Sequence, residues 1–276
     1  MSKGCLYLCP TPLGNLEDIT LRVLRILREA DKIAAEDTRR TRKLLSHYDI
    51  HTQLVSYHEH NKINKTAVII DWLSAGQKIA LVSDAGMPAI ADPGEDLVRA
   101  AIDNGIQVVA LPGPVAAITA LAASGLDVSS FVFYGFIPPR GAQRKAILAK
   151  IMTEEKTVII YEAPHRLCRT LRDLKEIDPL RQAVVARELT KVHEEYIRGS
   201  LEEVLQHFLL SEPKGECTVL VAGLELKQPP AATIDLQALI DEFLAKGYST
   251  KQAAQEIAQQ TGVPRNEIYR LILTKK

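Results

Sequence analysis

Apolar positions along this chain fall into two patterns. Short, nearly unbroken runs at residues 6–9, 33–35, 79–82 and 107–111 have the length of buried strands. Between them apolar residues return every three or four positions, as Leu21, Leu24 and Leu27 do with arginines on the opposite side, and residues 18–20 offer caps for that helix. Segments 67–73 and 97–102 also read as helices, the second ended by Gly105, and residues 115–124, VAAITALAAS, as a buried helix of small residues. Residues 51–65 are polar and read as loop. Three or four strands alternating with helices predict a parallel sheet covered on both faces, placed at residues 1–120.

A second set of strand-like runs, at 131–136, 157–161, 183–186 and 218–222, lies among less regular, turn-rich connections, with a basic proline-rich loop at 137–145 and an amphipathic helix running through Ile177. That pattern predicts a mixed sheet at residues 121–227. QPPAA at 228–232 reads as a linker. The tail, 228–276, has a helix at 236–245 stopped by Gly247, then a helix capped by Ser249 or Thr250, a TGVP turn and a last helix, with Ala253, Ala254, Ile257, Ile268, Tyr269 and Leu271 as inward candidates. This is a helix-turn-helix pattern, which packs or dimerises as readily as it reads nucleic acid.

Residues 78–94, KIALVSDAGMPAIADPG, hold the sharpest change of pattern. A buried strand breaks into a small, polar loop with Gly86, Pro88, Pro93 and Gly94, which is how open α/β sheets present groups to a ligand at their carboxyl edge, although the same residues also build a tight turn. Lysine plus arginine equals aspartate plus glutamate at 34 each, so any nucleic-acid site must be a local patch. Arg39, Arg40, Arg42 and Lys43 form one such patch, equally readable as a solvated helix face. Cys5, Cys9, Cys168 and Cys217 form no CxxC pair, and no run of 18 or more apolar residues occurs, which fits a protein of the reducing cytoplasm without a membrane span. His51, His58 and His60 lack a completing ligand at a usable spacing, so no metal site is expected.

No two glycines are separated by one residue, and GxxxxGK[ST] and GxSxG are missing, which excludes the dinucleotide fingerprint, the P-loop and the nucleophile elbow. What remains is a series of proline-broken strand-end loops, PTPLGN, EDTRR, SDAGMP, PGPVAA, YEAPHR, RELTK and KGEC, suited to a folded, partly apolar cofactor held by main-chain groups and one or two charges. PTPLGNLEDIT, AAEDTR, LVSDAG, DPG, LPGP, YE-xx-HR and RELTK in this order resemble the tetrapyrrole methylase superfamily, from Leu6 to about Gly223 and into the helical tail. Within it, the resemblance is to members that transfer methyl from S-adenosylmethionine to the ribose 2'-hydroxyl of a cytidine in 16S ribosomal RNA.

The resemblance implies an α/β fold of two domains, the class III S-adenosylmethionine methyltransferase fold, with a helical appendage, a cofactor cleft between the domains and a homodimer. It implies cofactor contacts at Leu13, Asp84, Met87, Val115 and Ala116, and along the far wall at Tyr161, Leu189 and Cys217. Met87 stands where the superfamily has threonine, and YEAPHR departs from the commoner YES-x-HR. A ribose hydroxyl is a poor nucleophile, and Lys191, Glu188, Glu162 and His165 are the candidates to take its proton. Lys191 leads them if burial and Arg187 hold it neutral; the alternative is a structural ion-pair network of Arg187, Glu188, Lys191 and Glu162. RNA is expected on Arg39, Arg40, Arg42 and Lys43 and on the loop bearing Arg140 and Arg144, within the 30S subunit or an assembly intermediate. A corrin precursor or a modified histidine on elongation factor two would be the acceptor in rival members of the same fold. A chain that kept the fold without chemistry would be an RNA-binding or assembly protein.

Overall fold

The computed structural model describes residues 3–224 and 236–274. The chain divides into two compact units, Met1–Leu224 and Glu225–Lys276. The linker expected at 228–232 lies outside the described residues.

In the first unit, nine elements alternate: β1 (Cys5–Leu8), α1 (Leu21–Glu29), β2 (Lys32–Ala35), α2 (Thr38–His47), β3 (Gln53–Ser56), α3 (Lys62–Ser74), β4 (Lys78–Val82), α4 (Gly94–Asp103) and β5 (Gln107–Ala110). The five strands form one parallel sheet in the order β3-β2-β4-β1-β5. Leu6, Ile79, Leu81 and Ala34 meet α3 and α4 through Ile69, Leu73 and Leu97, while Ile33, Ala35, Ala80 and Val82 meet α1 through Val23 and Leu27. Burial on both faces explains the nearly continuous apolar runs. Thr20 Oγ1 accepts the Val23 N–H at 3.1 Å and starts α1. The inward stripe of that helix is Val23, Leu24, Ile26 and Leu27, and Leu21 is exposed, because the cap sets the helix one residue before Leu21 and turns that side chain outward.

The second sheet uses β6 (Phe131–Phe136), β7 (Thr157–Glu162), β8 (Gln182–Arg187), β9 (Glu195–Ser200) and β10 (Cys217–Val221) in the order β6-β7-β10-β8-β9. Only β6 and β7 are parallel, so the sheet is mixed. One face is covered by α6 (Ala142–Thr153), α7 (Pro164–Lys175) and α8 (Leu201–Leu210), packed through Leu148, Ile151, Leu167, Leu171, Val204 and Phe208. The other carries α5 (Ala116–Ala122), whose Ala117, Ala120 and Leu121 pack on Ile159, Val184 and Leu220; this helix spans residue 120 and belongs to the second core.

Several elements correct the sequence reading. β3 and the first turn of α3 lie inside the polar stretch 51–65, and α6 begins inside the basic loop 137–145. β9 and α8 were not anticipated; β9 is a partly exposed edge strand, and a capping box between Ser200 and Glu203 starts α8.

The second unit is three helices, α9 (Leu236–Ala245), α10 (Thr250–Thr261) and α11 (Arg265–Leu273), around Ile240, Ala253, Ala254, Ile257, Ile268 and Ile272. Ser249 and Gln252 form a capping box, and Gly262 ends α10 at φ +73°. Leu271 is 37% exposed and Ile272 fully buried, because Ile272 lies four residues after Ile268 on one helix face and Leu271 falls outside it.

Candidate active site

Four loops leave the carboxyl edge of the parallel sheet and are tied into one surface. Thr11 and Gly86 exchange two backbone hydrogen bonds at 2.9 Å, and the Thr11 hydroxyl donates to the Ser83 carbonyl at 3.1 Å. Gly86 sits at φ +80°, where a side chain would be strained, with its α-carbon facing Leu13. Gly113 lies flat on the Pro10 ring, because an added Cβ would come within 2.6 Å of Pro10 Cγ; this joins the loop after β5 to the loop after β1. Asp84 then reaches sideways. Its Oδ1 accepts the Asp37 N–H at 3.0 Å and its Oδ2 pairs with Arg40 Nη1 at 3.1 Å, so the carboxylate after β4 holds the start of α2. Asp92 accepts two backbone N–H groups, from Ala89 and Gly94, and fixes Ala89 at φ +69°.

The opposite wall comes from the second sheet. Tyr161 is the penultimate residue of β7, and its hydroxyl accepts the Ala117 N–H at 3.1 Å. After β8 the chain passes through two non-glycine residues of positive φ, Glu188 at +51° and Thr190 at +65°. Thr190 Oγ1 accepts the Asn15 N–H at 3.0 Å, and Gly14 lies under the Lys191 stem, where a Cβ would be 2.3 Å from Cγ. Gly215 gives Glu188 its room, since a Cβ there would overlap Glu188 Oε1. Ala89, Glu188 and Thr190 are thus held in left-handed conformations around one cleft, a clustering that marks functional sites.

The cleft is a cavity of about 260 Å³. Leu13, Asp84, Met87, Val115, Ala116, Tyr161, Leu189 and Cys217, the eight expected cofactor contacts, all line it. So do Glu188, Lys191 and Glu162, but His165 does not; it is exposed on α7, beyond the end of β7. Sequence reasoning missed Glu36, Asp92, Phe136 and Thr218 as lining residues. Glu36 and Asp92 stood inside AAEDTR and DPG, so their motifs were visible while their convergence on one cavity was not.

Burial raises the Glu36 carboxyl above its ordinary value, and the charges of Asp84 and Asp92 raise it further. Asp92 is raised by burial. The Cys217 thiol is pushed up to about 12 by burial, so it lines the cavity as a neutral, apolar group. Burial likewise raises the Tyr161 phenol, which stays protonated.

Three expectations about charge are corrected. Glu162 is buried, and its oxygens are committed to the Ala163 N–H, Arg166 and the Thr170 hydroxyl, with Arg144 at 4.0 Å, so it has no lone pair turned to an acceptor. Arg144 is only 3% exposed and donates to Asp173 at 2.7 Å and Thr170 at 3.0 Å; it braces α6 on α7 and is closed to phosphate, whereas Arg140 is exposed. Lys191 is exposed and its ammonium pairs with Glu188 at 2.8 Å, while Arg187 pairs with Glu195. The four charges thus fall into three groups: Lys191 with Glu188, Arg187 with Glu195, and Glu162 with Arg166 and Arg144. Arg39, Arg42 and Lys43 are exposed on α2, and Arg40 alone of that group lines the cavity. Among the described residues no three of His, Cys, Asp and Glu gather to hold a metal ion.

A cleft at the carboxyl edge of a parallel sheet, closed by a second mixed sheet, defines the class: the chain belongs to the Tetrapyrrole (Corrin/Porphyrin) Methylases, whose pattern residues 5–205 match. Residues 230–276 match the RsmI C-terminal HTH domain. The chain is similar to proteins named ribosomal RNA small subunit methyltransferase I. One from Halalkalibacterium halodurans is 48% identical over 98% of this chain and 94% of its own length, and one from Synechocystis sp. is 44% identical over 98% of both. Among solved structures, diphthine synthase superposes with a TM-score of 0.64 at 15% identity, covering 79% of this chain and 90% of its own. A uroporphyrin-III C-methyltransferase from Thermus thermophilus, complexed with S-adenosyl homocysteine, gives 0.56 at 18% identity, covering 79% and 97%. At those identities the likeness is one of fold.

Proposed function

We propose that this protein transfers a methyl group from S-adenosylmethionine to the ribose 2'-hydroxyl of a cytidine in 16S ribosomal RNA, as a cytoplasmic homodimer acting on the 30S subunit or an assembly intermediate. The observation that carries the reading is the cavity that gathers loops of both sheets, in a chain so similar along its whole length to small subunit rRNA methyltransferases. The cavity suits the cofactor chemically. Leu13, Val115, Ala116 and Leu189 give it apolar walls, and Glu36, Asp84 and Asp92 give one side negative charge that favours a cation and hydroxyl groups. Met87 at the superfamily's threonine position restricts that residue to contact through its main chain and thioether.

S-adenosylmethionine, when bound, supplies an electrophilic methyl group on a sulfonium centre. The task left to the chain is to align the ribose oxygen and exclude water. Glu188 and Lys191 stand on the far wall as a hydrogen-bonded pair. The carboxylate of Glu188 is the acceptor for the hydroxyl proton, and the Lys191 ammonium positions that carboxylate. Arg40, Arg39, Arg42, Lys43 and Arg140 supply the basic surface for phosphates. The test is transfer from labelled S-adenosylmethionine to small ribosomal subunits that lack their own methylation, with mapping of the labelled atom and a parallel run with Glu188→Gln. Label on a ribose oxygen of 16S RNA, and a turnover at least 100-fold lower for Glu188→Gln, are the expected results. Label on a base or on protein would overturn the reading of the acceptor.

A further inference from the structure

β6 carries a device that the methyl-transfer reading does not use. Along FVFYGF, strict alternation would put Phe133 on the cleft face, Tyr134 on the helix-covered face and Phe136 on the helix-covered face again. The pairing with β7 breaks that alternation: Phe133 opposes Ile159, yet Gly135 opposes Ile160 and Phe136 opposes Tyr161, so one extra residue is inserted between Phe133 and Gly135. Gly135 takes φ +62° to make this bulge. Bulges re-aim side chains, and this one has an identifiable product. Phe136 is moved from the core side to the cleft side, and Ile137 takes the buried position it leaves, 2% exposed among the residues under α6 and α7.

The re-aimed ring lines the mouth of the cavity and is 55% exposed. It is the outer member of an aromatic series. Phe133 meets Tyr161 edge-on at 5.0 Å between centroids, and Tyr161, fixed by the Ala117 N–H, meets Phe136 at 5.5 Å with a tilt of 58°. Its inner edge is therefore fixed by rigid neighbours, and it carries apolar surface at the rim of a charged cavity. The 2'-hydroxyls of paired RNA lie on a broad, shallow groove, whereas a cavity recessed between two sheets suits a nucleotide splayed out of a single strand, whose base then lacks its stacking partners. An aromatic ring at the rim restores one of them, whatever the identity of the base.

We infer that Phe136 is the stacking platform for the nucleobase of the nucleotide being methylated, aimed at the cleft by the bulge at Tyr134–Gly135. This rests on the RNA 2'-O-methylation reading above. The test compares wild type, Phe136→Leu and Phe136→Trp in the full chain, with small ribosomal subunits lacking their own methylation as substrate. Initial rates, cofactor affinity by calorimetry and mass by sedimentation are measured on each, and thermal melting confirms that each is folded. Phe136→Leu is expected to lower kcat/KM for subunits on the order of tenfold, with cofactor affinity and mass unchanged, and Phe136→Trp to restore the rate. A Phe136→Leu protein as active as wild type, or a Phe136→Trp protein as impaired as Phe136→Leu, overturns the platform while leaving the reaction intact. A change of mass in Phe136→Leu also overturns it, assigning the ring to contact between copies. Wild type that leaves ribose oxygens unlabelled overturns the reaction and the platform together.

Discussion

At the scale of single residues, the cleft holds charge that the folded protein does not tolerate well on its own. Glu36 is half-buried and faces Asp84 and Asp92, and both burial and those two charges make its ionised form unfavourable. A carboxyl raised in the folded state binds its proton more tightly there than in the unfolded chain. The stability it contributes is full below the unfolded value of 4.5 and is lost as pH rises through the higher folded value. Glu36→Gln removes that loss. The melting temperature of the protein without cofactor should therefore fall less steeply for Glu36→Gln than for wild type between pH 4.5 and neutrality, and lie above it at neutral pH. Asp92 retains its own raised carboxyl, so the slope is reduced, not abolished. Affinity for S-adenosylmethionine should move the opposite way and weaken, since the same charge faces the cofactor cavity. Parallel melting curves across that range would show that Glu36 is not strained by its neighbours.

At the scale of elements, Glu162 shows how a motif residue at a strand end serves the frame. It closes β7, receives Arg166 from the first turn of α7 and, through Thr170 and Arg144, holds α6 against α7. Removing one member of a buried charged set leaves the others uncompensated. Glu162→Ala should cost about 3–5 kcal/mol in chemical denaturation, while the milder Glu162→Gln keeps wild-type turnover per folded molecule. Lost turnover at undiminished stability would return Glu162 to the chemistry. The sequence makes the loops legible because proline and glycine interrupt apolar runs there, and it makes the parallel sheet legible because strands buried on both faces are apolar without alternation. β9 escapes because EYIRGS is a half-exposed edge strand with little contrast, and α6 because PPRG ahead of it reads as loop. The inward turn of Arg144 cannot be read from a basic segment, since only α7 supplies Asp173 and Thr170. Gly135 inside a strand pattern was the available sign of the bulge.

At the scale of the whole molecule, charge sums to zero, and attraction to RNA must be built from position. Asp84 holds Arg40 toward the cavity, while Arg39, Arg42 and Lys43 leave α2 toward solvent. Arg39 is exposed and paired with the half-buried Asp37 only two residues away, a contact at the surface that a phosphate can replace. The helix therefore joins the cavity, through one arginine, to a basic face that extends outward from it. Each phosphate neutralised on that face releases counterions, so the logarithm of the binding constant falls with the logarithm of salt by roughly 0.7–0.9 per contact. Reversing both Arg39 and Arg42 to glutamate should weaken binding of small ribosomal subunits at low salt and reduce that slope by roughly 1.4–1.8. Cofactor affinity should be unaffected, because neither side chain lines the cavity. Filter binding across a salt series makes the comparison. A wild-type slope in the doubly reversed protein would move the RNA off α2, leaving Arg140 and the cations of the helical unit to carry it.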